Sequence, residues 1–341
     1  MNKRQFIIIF LFIAGIFACN KQVIDEVLAF TNPSHFPKPT YKFENNEITK
    51  AKFELGRKLF YDPILSANNT ISCGFCHIQT SAFTHHGHDV SHGIFDRVGT
   101  RNTPPIMNMA WNTSFMWDGG IFDLDLLPIA PITNHLEMDE TMPNVLNKLR
   151  ATSTYPTLFK KAFGSTEIDG TKFLKALSQF MLMCTSTNSK YDSVQQKLAT
   201  FTTQENAGYQ VFKQKCNSCH TEPLFTDNSF RNNGLQPSLV NDSGRYLITN
   251  ISSDLYKFRV PSLRNLTPTA PFMHDGRFRN IDAVLDHYTT GVKAIPNVDP
   301  ILQQGSSLGI SLSAQEKINL KAFLKTLEDE VFLKDKKLSE Q

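Results

Sequence analysis

The chain has 341 residues, 40% of them hydrophobic and 20% charged, enough apolar material for more than one buried core and too little charge for wholesale disorder. Its formal net charge is +3, so the basic excess expected of a nucleic-acid-binding protein is missing, and nucleic acid is not an expected partner.

From the N-terminus, Lys3 and Arg4 precede an apolar run over residues 6–17. That run is shorter than the about 20 residues of a membrane-spanning helix, so residues 1–18 read as an export signal. It ends Ile16-Phe17-Ala18-Cys19, similar to a bacterial lipobox, in which the cysteine is acylated. Cys19 is therefore a candidate lipidation site, and any membrane contact would be through that lipid anchor only. An ordinary signal peptide cut nearby is the alternative. Either reading exports the protein, to the periplasm or the outer cell envelope. Residues 19–40, polar and then containing Pro33, Pro37 and Pro39, read as a tether.

Cysteine spacing then sets the class. Four of the six cysteines fall in two copies of one pattern, Cys73-Gly74-Phe75-Cys76-His77 and Cys216-Asn217-Ser218-Cys219-His220. C-x-x-C-H is the attachment signature of c-type haem. Two thiols at this spacing can reach the two vinyl groups of one porphyrin edge, and the next residue brings an imidazole under the iron. A zinc site made of two CxxC pairs, or a redox dithiol, would leave the repeated histidine unexplained. Cys184, in an apolar stretch, reads as a buried free thiol.

The surroundings repeat as well. Gly56-Arg57-Lys58-Leu59-Phe60 precedes the first motif and Gly208-Tyr209-Gln210-Val211-Phe212 the second. Ile48, Ala51, Leu55 and Leu59 share a helical face with Thr49 as a possible N-cap; Thr202 or Thr203 would cap the second helix. Leu174, Leu177 and Phe180 in one helix match Leu320, Phe323 and Leu327 in another. The expected fold is all-α: two tandem cytochrome c domains, residues 41–195 and 196–334, each with one covalent haem. Residues 246–251 read as a short strand in an otherwise loop-like stretch.

The motifs, in order, resemble those of the bacterial dihaem cytochrome c peroxidases and their MauG-type relatives. They are Leu55 to Pro63 before the first CxxCH, Arg101-Asn102-Thr103-Pro104, Phe115-Met116-Trp117-Asp118-Gly119, Pro131-Ile132 leading to Glu137-Met138, Arg259 to Asn265, and Ala270-Pro271-Phe272-Met273-His274-Asp275-Gly276. The resemblance covers most of the chain. It implies two haem c groups, a peroxidatic one on His77 and an electron-transfer one on His220, with Cys73, Cys76, Cys216 and Cys219 as the attachment thiols. It implies reduction of hydrogen peroxide to water with electrons from a small periplasmic carrier, a cytochrome c or a cupredoxin, and it leaves room for a homodimer. The rival readings are a MauG-like oxidase acting on a protein or small molecule and a non-enzymatic electron-transfer cytochrome.

By the same resemblance, Glu137 is the catalytic acid-base and Trp117 the relay between the haems. His92 caps the first haem, with His88 as rival because the following loop is longer than the family pattern. Met138 could instead close that iron as an axial ligand. Tyr288, fourteen residues beyond His274, falls where the peroxidases place an axial methionine and the MauG-type enzymes a tyrosine; Met273 and His287 compete with it. Asn102, Thr269 and Pro271 match positions that hold a calcium ion. One family feature departs: a glutamine expected near the peroxide site falls on Leu127.

Overall fold

The computed structural model describes residues 28–341. The expected signal segment and Cys19 lie outside the described residues. Six helices matter for the site: α1 (Lys50–Tyr61), α2 (Gly170–Met183), α3 (Thr203–Lys215), α4 (Ile281–Asp286), α5 (Ala314–Lys325) and α6 (Glu330–Lys334). Strands are confined to two two-residue ribbons, of which Phe230–Arg231 pairs antiparallel with Phe258–Arg259. The described residues are thus mostly helical, with little sheet. The expected strand at residues 246–251 is instead a helical turn, Tyr246–Thr249, with Arg245 anchored to the Asp118 carbonyl.

One helix crossing occurs twice. Thr49 caps α1 by accepting from the Lys52 amide, and Thr202 caps α3 in a capping box with Glu205. Gly56 of α1 lies against the Ala176 carbonyl and Phe180 of α2. Gly208 of α3 lies against the Asn319 carbonyl and Phe323 of α5. At both places a Cβ would collide with a backbone oxygen, so glycine lets the two axes approach closely. Each crossing anchors its own buried cluster. Phe53, Leu59, Phe60, Leu177 and Phe180 belong to one; Val211, Phe212, Phe225, Leu320 and Phe323 belong to the other.

Two stretches depart from the expected boundaries. Part of the supposed tether is packed: Phe36 is buried against Trp111, and Thr40 donates its amide to the Ala110 carbonyl. The apolar side chains outweigh the freedom that the prolines and polar residues had implied. At the other end, Phe332 and Leu333 of α6, with Leu338, join the first cluster rather than the second. Arg57 and Tyr61 of α1 donate to the carbonyls of Lys337 and Leu338, and Gln79 to those of Phe332 and Asp335.

A buried polar seam joins the halves. Arg264 and Asp192, both fully out of solvent, form a two-pronged ion pair at 2.8–2.9 Å. His35 adds a third contact to Asp192 at 2.8 Å. Asn265 bridges Ser186 and the Asp329 amide. The motif residues Arg264 and Asn265 are therefore architectural.

Candidate active site and haem-attachment motifs

Cys73–Cys76 forms one helical turn with His77 as its C-cap. Cys73, Cys76 and His77 line a single cavity of about 560 Å³, with Glu137, Met138, Trp117, His92, Leu127 and Arg259 elsewhere on its wall. The His77 Nδ1–H donates to the Phe83 carbonyl at 2.6 Å, which fixes the ring and leaves Nε2 as the lone-pair nitrogen. Burial pushes this imidazole down to about 4, so it is neutral near pH 7 and free to bind iron. Burial pushes both thiols up to about 12. That disfavours a reactive dithiol and is no obstacle to thioether linkage. Among the described residues no cluster of three or more His, Cys, Asp or Glu is arranged to hold a metal ion. The donor set fits a covalent haem.

Glu137 is positioned by its own turn and by the histidine loop. Its amide donates to the Asn134 carbonyl, and its carbonyl accepts from Ile94 at 2.9 Å. Gly93 packs so tightly on the Leu136 and Glu137 backbone that a Cβ would not fit. Asn134 donates to the Glu137 carboxylate at 2.7 Å. Burial outweighs that bond and raises the carboxyl above the usual glutamate range. Met138 is buried in the first cluster. His92 borders the cavity, whereas His88 does not line it. The His92 ring packs on His88 with centroids 4.6 Å apart, and His88 stacks on His85 at 4.1 Å.

Trp117 donates its indole N–H to the Asn102 carbonyl at 2.8 Å, and its own carbonyl accepts from the Arg259 amide at 2.8 Å. Arg101 pairs with both Asp118 and Asp242, binding the Trp117 segment to the second half.

At the second motif, the His220 Nδ1–H is shared between the Phe225 and Pro261 carbonyls at 3.2 and 3.1 Å. This again leaves Nε2 for iron, and burial lowers the imidazole pKa. Tyr288 lies just beyond α4, which stops at Asp286 and continues as a π-helical turn, His287–Gly291. Such turns are frequent at functional sites. Burial pushes the Tyr288 phenol up to about 12, with Asn233 opposing the shift and Cys216 and Cys219 near enough to add to it. Its two rivals share that neighbourhood. The His287 Nε2–H donates to the Asn233 carbonyl at 3.1 Å, which engages its ligating nitrogen, and the Met273 sulfur accepts from the Asn233 side chain at 3.4 Å. Asn233 carried no sequence signal, being one polar residue in a loop.

The sequence profile of the di-haem cytochrome c peroxidases matches residues 50–200. A methylamine utilization protein MauG of Methylorubrum extorquens is 33% identical over 311 residues, covering 88% of this chain and 84% of that protein. A cytochrome c551 peroxidase of Pseudomonas aeruginosa is 28% identical over 89% of this chain and 85% of its own. A crystal structure of a MauG-like protein associated with microbial copper homeostasis superposes with a TM-score of 0.82 at 32% identity, covering 92% and 99% of the two chains. The chain belongs to the dihaem cytochrome c peroxidase and MauG family. Membership implies two haem c groups and haem-dependent oxidoreductase chemistry.

Within that family frame, the expected calcium site gains no support. Leu127 borders the dihaem protein's main cavity where the family glutamine was expected, making that part of the wall apolar. Arg101, Asp118 and Arg259 stand in the quoted motifs, but the sequence assigns them no role; their place at the cavity wall emerges only in the fold. Cys184 is a buried free thiol. No helix among the described residues is long and apolar enough to cross a membrane.

Proposed function

We propose that the chain is an exported dihaem peroxidase, with one haem on each of its two attachment motifs. It reduces hydrogen peroxide by two electrons and two protons to two waters, drawing electrons from a small cytochrome c or cupredoxin. Cys73, Cys76 and His77 hold the peroxidatic haem; Cys216, Cys219 and His220, with Tyr288 as sixth ligand, hold the electron-transfer haem. The bound haems supply the peroxide-binding iron and the redox equivalents. The observation that carries the reading is a half-buried carboxylate, Glu137, on the same cavity wall as Cys73, Cys76 and His77. With its raised pKa, Glu137 takes a proton from one peroxide oxygen and returns it to the leaving oxygen. The Trp117 indole relays charge between the units. His92, at the cavity edge, is the capping residue of the resting form. Cys19 carries the lipid anchor.

A second reading, a MauG-like oxidase, is favoured by the buried phenol of Tyr288 beside Cys216 and Cys219. A thioether ligand raises a haem potential, whereas an oxygen donor favours ferric and higher states. The test is steady-state peroxide consumption by the holoprotein with reduced cytochrome c and reduced cupredoxin as donors. Turnover supports the peroxidase. A peroxide-induced spectral change without donor turnover favours the oxidase. No response to peroxide overturns both and leaves an electron carrier.

A further inference from the structure

Arg259 stands on the wall of the His77 cavity at the end of the Phe258–Arg259 strand. Its Nε is shut off from solvent and has no hydrogen-bond partner among the described residues. Its isolation contrasts with Arg101 on the same wall, which has two aspartates. The residue as a whole is half-buried and faces the cavity, so its guanidinium stands on that wall with no anion beside it to compensate its charge. Burial accordingly pushes Arg259 down to about 10, with no opposite charge to offset it. The backbone leaves the side chain little choice of place: the Arg259 amide is held by the Trp117 carbonyl, and Phe258 and Arg259 pair with Arg231 and Phe230. Two residues on, the Pro261 carbonyl orients His220. One short strand therefore ties the second attachment motif to the cavity of the first.

We propose that Arg259 is a positioning residue that binds a propionate carboxylate of the haem held at His77. The inference rests on the haem reading of the two CxxCH motifs. Guanidinium and carboxylate match in geometry and charge, and in a water-poor wall the pair is worth more than at a surface. Arg259 would thereby hold one edge of that haem and make it easier to reduce, because a nearby positive charge favours the reduced state.

The test is spectroelectrochemical titration of both haems in the holoprotein, for wild type, Arg259→Leu and Arg259→Lys. Pyridine haemochrome assays first establish two covalent haems in each; fewer than two in the wild type would overturn the haem reading itself. With two haems present, Arg259→Leu shifts the ferric/ferrous equilibrium of the His77 haem about tenfold toward ferric, about 59 mV for a one-electron couple. Arg259→Lys, which keeps the charge, restores most of that shift. An unchanged potential in Arg259→Leu, or a shift confined to the His220 haem, overturns the proposal while leaving the haem reading intact. Titration with acetate separates the other source of a carboxylate. Saturable acetate binding to the wild type that is lost in Arg259→Leu would make Arg259 a site for a free anion and overturn the propionate assignment.

Discussion

Around Cys73–His77 the chain leaves a cavity of about 560 Å³ bordered by a carboxylate, an indole and a guanidinium. Around Cys216–His220 a phenol, an imidazole and a thioether gather instead about Asn233. Yet both motifs follow the same close helix crossing, and both histidines turn Nδ1 to a backbone carbonyl. The duplicated part fixes how a haem is attached. The part that differs is what surrounds each motif: an open cavity with a carboxylate at the first, and side chains that could ligate a metal at the second. One scaffold supports two chemistries because attachment and reactivity are carried by different segments.

The comparison is broken most directly at Glu137. Glu137→Gln should lower kcat/KM for peroxide by about 10²–10⁴-fold while leaving both haems attached. Undiminished turnover would reduce Glu137 to a solvated carboxylate and erase the distinction between the sites. The pH profile sharpens the same point. The base must be ionised to accept a proton, and burial raises its pKa. Wild-type turnover should therefore fall as the pH drops through a value above the roughly 4.3 of an exposed glutamate, and Gln should abolish that limb.

Next comes Gly93→Ala, whose Cβ would press on the Glu137 carbonyl 2.6 Å away. A displacement on the ångström scale can cost about 10²-fold in rate. The expected result is a fall in kcat with the ferric spectrum of the His220 haem unchanged; equal change at both haems would point to general unfolding.

The shared half of the comparison is tested by Gly56→Ala and Gly208→Ala. Each forces a methyl group onto a helix backbone, so each should cost about 1–3 kcal/mol in denaturant unfolding. A loss at one glycine only would show that the two crossings are not equivalent.

The smallest effect is expected at Tyr288. Its replacement by Phe should raise the potential of the His220 haem and leave the His77 haem unaltered. The wild type should lack the near-infrared methionine-to-iron band; its presence would return the sixth position to Met273.

Attachment was legible in the sequence because it is local: thiol, thiol and imidazole within five residues need no tertiary context. The helix crossing was legible as a repeated Gly-x-x-aliphatic-Phe, although the reason for glycine, a facing carbonyl, belongs to the partner helix. Tyr288 was found by counting within a motif, but the π-turn that presents it was not, since hydrogen-bond slippage leaves no hydrophobic period. Residues 246–251 misled because Tyr246, Leu247 and Ile248 form a short continuous apolar run, which a strand and a helical turn share, while Arg245 and Asp254 pair beside the turn at 3.9 Å. Arg259 was invisible as a functional residue. Its meaning lies in what it lacks, and a missing partner cannot be read from a one-dimensional string.

The C-terminal segment has a consequence for the order of events in synthesis. Phe332, Leu333 and Leu338 complete the cluster built around the first attachment motif, and their backbone satisfies Arg57, Tyr61 and Gln79. The ribosome makes these residues some 260 positions after Cys73. The buried cluster around Cys73 and Cys76 is therefore closed by residues distant in the chain, and it is complete only when residues 332–338 are in place.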